Sequence, residues 1–234
     1  MIDRSTARDT PFISMAFYKV AYVFGTHVAE TILASVHVRA QQQAGRMDAS
    51  DAVKSSKSIL RAGGRPRMDE KTGFTVEVAT PFKLGQPRSE RNYEQIIGVE
   101  SLLKTPPHVG KRSHLCEIGF EASAARDAKR SQAELNASNA IRIRTNAMVK
   151  IQNMLQGRVE KTETFEQDGA TGVEFIVAPG IGPNHAGVRQ YIAMVDRPAG
   201  RITVTCATYA TAMLKALNAF RQIRDGARLE AKKQ

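Results

Sequence analysis

The stretch RQYIAMVDRPAGRITVTCAT, residues 189–208, decides the fold class. An apolar run from Val188 to Val195 stops at Asp196-Arg-Pro-Ala-Gly200, and Ile202, Val204 and Cys206 then alternate with threonines. Apolar alternation on either side of a Pro/Gly turn predicts two antiparallel strands. Working upstream, Arg158–Phe165 and Val173–Ala178 flank Asp168-Gly169, a turn dipeptide suited to a tight hairpin. Downstream, Met213, Leu217, Phe220 and Arg224 recur at helical spacing beside Leu214 and Ile223. That helix begins near Thr208 and ends at Gly226.

Earlier residues complete the pattern. Phe74–Val78 alternates as a strand and stops at Pro81. Residues 93–103 are a second extended candidate, with an early half that also fits a helix, and His114–Glu121 is a third strand. Ser131-x-x-Glu134 is a capping box. It opens a helix with Leu135, Ile141, Met148, Ile151 and Leu155 as its stripe and Gly157 as its stop. The order β-β-β-α-β-β-β-β-α predicts an α+β domain over 71–228, a mainly antiparallel sheet covered by two helices in a sandwich of α/β/α type.

The amino-terminal part reads differently. Residues 12–38 are the longest apolar stretch but include Lys19, His27, Glu30 and His37. Three readings stay open. The segment is a signal peptide, with a small-x-Ala site at Val38-Arg39-Ala40; a membrane span, which the four polar residues disfavour; or an amphipathic helix. Residues 1–40 are therefore a signal or an apolar helix. Residues 41–70 read as a polar linker and 229–234 as a charged tail. No stable span is expected. The chain is expected to be periplasmic or secreted, with a cytoplasmic or membrane-associated location through 12–38 as the alternative.

The strand Gly73–Phe82 (GFTVEVATPF), the hairpin Arg189–Thr208 and the terminal amphipathic helix together resemble the PsbP-like and DcrB-like α/β/α sandwiches of exported bacterial and photosynthetic proteins. The resemblance spans residues 73–228 and rests on the order of elements. It implies binding and accessory roles and carries over no catalytic residue. The first seventy residues depart from it beyond the need for an export signal.

Chemistry-bearing motifs are sparse. The usual P-loop, zincin, C-x-x-C and nucleophile-elbow patterns do not occur in the sequence. The glycine-rich Pro179–Gly187 is followed by a strand, so no helix amino terminus is on offer for a phosphate. His27 and Glu30 share a helical face, but two ligands do not make a metal site. No metal, cofactor or catalytic residue is assigned. The ligand-binding candidates are His108, Lys111 and Arg112 in one loop, and His185 and Arg189 in another. Cys116 and Cys206 each lie on the apolar face of a strand, where a cysteine packs as a small hydrophobe. In an exported chain the pair can form one disulfide. A sharper alternative makes Cys116 a nucleophile beside His114, two positions away on the same strand face.

The net charge of +11 draws a protein to nucleic acid, anionic lipid or acidic partners. The excess is spread along the chain with no basic block. Arg142, Arg144 and Lys150 give the middle helix a basic flank, the best nucleic-acid or anionic-lipid candidate. Aromatic residues are only 6% with no Trp, a poor supply for stacking bases. The reading is thus a non-enzymatic, exported, periplasmic-type binding or accessory domain whose partner is a protein or small molecule of the cell envelope. The alternatives are a basic cytosolic protein that binds nucleic acid or acidic partners, and an enzyme with an unrecognised site.

Overall fold

The computed structural model describes residues 66–90, 93–109, 114–124, 127–182 and 184–229. The apolar segment 12–38, residues 41–65 of the polar stretch, Lys111, Arg112 and residues 230–234 lie outside the described residues. The strands are β1 (Arg67–Asp69), β2 (Phe74–Val76), β3 (Phe82–Glu90), β4 (Tyr93–Ser101), β5 (Cys116–Ala122), β6 (Arg158–Gln167), β7 (Ala170–Ala178), β8 (Val188–Arg197), β9 (Gly200–Tyr209) and β10 (Ala227–Leu229). The helices are α1 (Gln132–Asn136), α2 (Ser138–Met154) and α3 (Met213–Asp225). Seven strands form one sheet in the order β3-β4-β5-β9-β8-β7-β6, and β1-β2-β10 form a second, small one. All pairings are antiparallel, so the fold is mixed α+β, as the hairpin pattern predicts.

The two faces of the large sheet bury different cores. Along β7 and β8, Val173, Phe175, Val177, Ile192 and Met194 pack with Met148 of α2. Their alternate neighbours Ile176, Tyr191, Ala193 and Val195 pack with Met213, Leu217, Phe220 and Ile223 of α3. Successive strand residues point to opposite faces, so α2 and α3 lie on opposite sides of the sheet. Phe74 and Val76 of the small sheet join the α3 side.

Cys116 and Cys206 stand directly opposite each other in the β5–β9 ladder and form a disulfide. Both are buried in the α3-side core. The bond closes a separation of 90 residues, a constraint on the unfolded chain that is worth about 2–5 kcal/mol. It consumes the thiol that a Cys116–His114 nucleophile would need. His114 also departs from the expected face. Leu115 and Cys116 both enter the same core, so alternation slips at the start of β5. The His114 ring instead occupies the space beside Gly98, near Glu100.

Several local expectations are corrected. Arg67–Asp69, assigned to the linker, form β1 against β2, and Leu229, assigned to the tail, belongs to β10. Residues 82–90, for which no element was expected, contain Gly85 and Pro87 and form edge strand β3. Its register shifts around those residues, and an edge strand tolerates a proline there. The second candidate is a strand from Tyr93 to Ser101, its early half included, and Leu102 and Leu103 turn out of it. The capping box forms as expected, but the helix breaks at Ala137, where ψ is 142°. Asn136 at the break donates to the Gly169 carbonyl and accepts from the Thr171 amide. At the far end of α2, the left-handed residue is Gln156 rather than Gly157. The Gln156 and Gly157 amides donate to the carbonyls of Asn153 and Gln152, closing the helix as a Schellman motif. Leu214, placed beside the α3 stripe, is 78% exposed. Asp168 and Gly169, with φ of 47° and 75°, make the expected tight turn.

Arg144 is only 5% exposed and is not part of a basic surface. It donates to the Leu135 carbonyl at 2.5 Å and faces Asp196 of β8 at 3.3 Å, while Asp196 also pairs with Arg201 at 2.6 Å. Burial alone would raise the Asp196 carboxyl; Arg201 and Arg144 outweigh it and hold the carboxyl below its ordinary value. A carboxylate lowered in the folded state stabilises above its unfolded pKa, near 4. That contribution is lost as the pH falls through the folded value. Asp196→Asn is expected to destabilise by about 3 kcal/mol at neutral pH, because buried Arg144 loses its counter-charge. Urea titrations across pH should also show a shallower acid loss in the variant than in the parent. At Gly226, between α3 and β10, an added Cβ would lie 1.8 Å from the Glu77 carbonyl oxygen. Gly226→Ala is therefore expected to lower stability by about 1–3 kcal/mol, read from the urea midpoint.

Candidate functional site

The two loops holding the sequence candidates come to the same end of the sheet. Thr208 pairs with Arg189 across β9 and β8, and its hydroxyl donates to the Pro107 carbonyl at 2.8 Å. That bond places His108 beside the β8–β9 end, half-buried. His185 is exposed in a short turn, its Nδ1 3.0 Å from the Gly182 carbonyl oxygen. Arg189 is committed to local structure. Its Nε donates to Glu160 at 2.6 Å, and its Nη1 donates to the carbonyls of Ala186 and Val188. Hydrogen bonds from Arg158 and Arg189 hold the Glu160 carboxyl below its ordinary value. Lys111 and Arg112 are outside the described residues, so the candidate cluster reduces here to His108, His185 and a neutralised Arg189.

A denser constellation lies toward the β6 edge, where arginines of α3 reach out to β7 and β6. An open groove of about 720 Å3 is lined by Thr162, Glu163, Thr164, Phe165, Glu174, Arg221 and Arg224. Its floor is Glu174, 5% exposed and the one charged residue of β7. One carboxylate oxygen accepts from the Tyr191 hydroxyl at 2.7 Å and from Arg224 at 2.5 Å. The other accepts from Nε of Arg221 at 2.9 Å and from its Nη2. Arg221 also reaches Glu163 at 2.6 Å, and Glu163 pairs with Lys161 at 2.8 Å. Arg224 lies over the Phe165 ring at 4.1 Å, and that ring fills the space beside Gly172.

The local fold explains the placement. Arg221 and Arg224 are three apart on α3 and project to one side. Glu174 and Tyr191 lie on the α3 side of neighbouring strands. Burial pushes the Tyr191 phenol far above its ordinary value against the pull of Arg224, and the hydrogen bond to Glu174 adds to the rise. The bond to Glu174 likewise raises the Arg221 guanidinium. A carboxylate has about four acceptor positions, and Glu174 has four donors. It has no lone pair left for a substrate proton, so the arrangement is a closed ion network rather than a general base. Of these residues, the sequence reading singled out only Arg224, as a charge on an apolar helical stripe. A lone acid within Val173–Val177 is the matching signal on the strand side.

No protein-family model matches the chain, and no curated protein matches it. Several solved structures show weak similarity, three of them as follows. Cyanobacterial PsbP from Synechocystis sp. PCC 6803 gives a TM-score of 0.47 at 11% identity, over 72% of this chain and 94% of that one. A protein of unknown function from Pseudomonas aeruginosa gives 0.37 at 8%, over 71% and 97%. A protein from Bacteroides thetaiotaomicron gives 0.32 at 10%, over 74% and 50%. The resemblance to PsbP-like proteins read from element order is thus met again as a weak likeness of fold. No site residue is carried across.

Removing the Glu174 charge leaves the nearly buried Arg224 with only Asp225, half-exposed and 2.7 Å away, as its counter-charge. Glu174→Gln is expected to cost about 2–3 kcal/mol in chemical denaturation. Arg221 is a third exposed, but its loss leaves one oxygen of the buried Glu174 carboxylate without its two donors, and Arg221→Ala is expected to cost about 1–3 kcal/mol.

Proposed function

We propose that this chain is a non-enzymatic binding or accessory domain of an exported protein, periplasmic-type or secreted, whose partner is a protein or small molecule of the cell envelope. The observation that carries the reading is the Cys116–Cys206 disulfide between central strands of the sheet. Such bonds form and persist in oxidising compartments. These are the two cysteines of the sequence, and both are spent in one buried cross-strand link. The packing of α2 and α3 on opposite faces supports a sandwich of α/β/α type. Two further features support a structural use of charge. Glu174 is saturated by its own neighbours, and Arg144 is withdrawn from the surface to pair with Asp196.

Intact mass of the natively expressed protein, with and without thiol alkylation, tests this directly. The expected result is a product beginning near Gln41 with no thiol to alkylate. A full-length product with two alkylated thiols would overturn the export reading. It would favour the basic cytosolic protein that binds nucleic acid or acidic partners, and would reopen the enzyme alternative.

A further inference from the structure

The outward face of α2 combines cations with three exposed apolar side chains. Its exposed residues are Ser138, Asn139, Arg142, Ile143, Asn146, Val149, Lys150, Asn153 and Met154. From Asn139 onward they fill an arc of about 140° at 100° per residue, one stripe along the whole helix. The helix contains no acidic residue. Arg142 and Lys150 have no ion-pair partner among the described residues. Between and beside them Ile143 is 49% exposed, Val149 36% and Met154 53%. The inward side of the same helix is fully employed, with Ala147, Met148 and Ile151 buried and Arg144 paired. The outward pattern is therefore not a residue of core packing.

We propose that this face of α2 lies on an anionic lipid surface, with Ile143 and Val149 entering the headgroup boundary and Arg142 and Lys150 meeting lipid phosphates. Cations beside exposed aliphatic side chains, along a helix about 25 Å long, are what an interfacial helix presents to a bilayer. Asn139, Asn146 and Asn153 run along the same stripe and supply donors for phosphate and glycerol oxygens. A peptide helix would need a groove between two elements. The shallow depression here is lined, among the described residues, by α2 alone. Nucleic acid would be served by the two cations but not by the aliphatic residues between them, and the stripe has no aromatic ring for stacking. The proposal is independent of the export reading, since either compartment offers an anionic bilayer.

The test is flotation of the full chain with phosphatidylcholine vesicles, with and without phosphatidylglycerol. The comparison includes Arg142→Gln/Lys150→Gln and Ile143→Ser/Val149→Ser variants. All four positions are exposed, and unchanged circular-dichroism melting checks that the variants fold. Binding should require phosphatidylglycerol and weaken as salt rises. The charge variant should bind about 30-fold more weakly, from about 1 kcal/mol per cation near an anionic surface. The aliphatic variant should also lose binding. Equal binding to neutral vesicles would overturn the proposal. So would binding that survives both double substitutions, as it would if the apolar segment 12–38 were the contact. Failure to bind vesicles, with retention of duplex DNA or an acidic polypeptide that Arg142→Gln/Lys150→Gln abolishes, would assign the face to that partner instead.

Discussion

Strands β7 and β8 are apolar on both faces, and the rest of the molecule answers to that constraint. A strand that is wet on one side alternates cleanly; Val173–Val177 and Tyr191–Val195 scarcely do. Both sides of the sheet must be covered, and the described residues supply two helical units for the purpose. The unit α1–α2 follows β5, and α3 follows β9, so each packs back on the sheet from a different side. The layered order is a consequence of having doubly buried strands near the middle of an antiparallel meander.

Apolar burial alone does not orient a helix, and here each helical layer has a charged tether to the sheet. On one side Arg144 of α2 meets Asp196 of β8, and on the other Arg221 and Arg224 of α3 meet Glu174 of β7. In both, the arginine comes from the helix and the acid from the strand. Burying such ions costs solvation, and the attraction between them offsets much of that cost. What the pairs add is directionality: a sliding helix would strand a buried charge. The arginines that swell the net positive charge are thus partly internal, and composition overstates the basic surface.

The legible part of the fold was the part where local signals agree. The late hairpins and α3 follow from alternation and helical spacing, with Asp168-Gly169 in the turn the strands require. The disulfide was readable because Cys116 and Cys206 fell on apolar faces of separate strands. Edge strand β3 was not readable, since Gly85 and Pro87 mark a loop in any local reading, and only pairing with β4 makes the segment extended. The break at Ala137 carries no glycine or proline; it is fixed by Asn136 reaching the β6–β7 turn. The candidate cluster was half legible. The loops do share an end of the sheet, but Arg189 is claimed by Glu160, a partner that becomes a neighbour only through the β6–β7–β8 ladder. Glu174 and Arg221 were missed for the same reason, as each signals its role only beside the other.

The small sheet sets the order in which the molecule can be finished. Strand β2 lies between β1, its neighbour in sequence, and β10, which arrives after every other described element. Phe74 therefore pairs with Leu229 across almost the whole described chain. Contacts of such long range form late, because the loop they close costs entropy before the pairing returns anything. A nascent chain that has passed β9 but not β10 can complete the seven-stranded sheet. It must still leave one edge of β2 open, with Phe74 and Val76 incompletely covered. Until that last strand arrives, the core on the α3 side is incompletely closed, and the closing strand acts as the latch on a domain otherwise assembled.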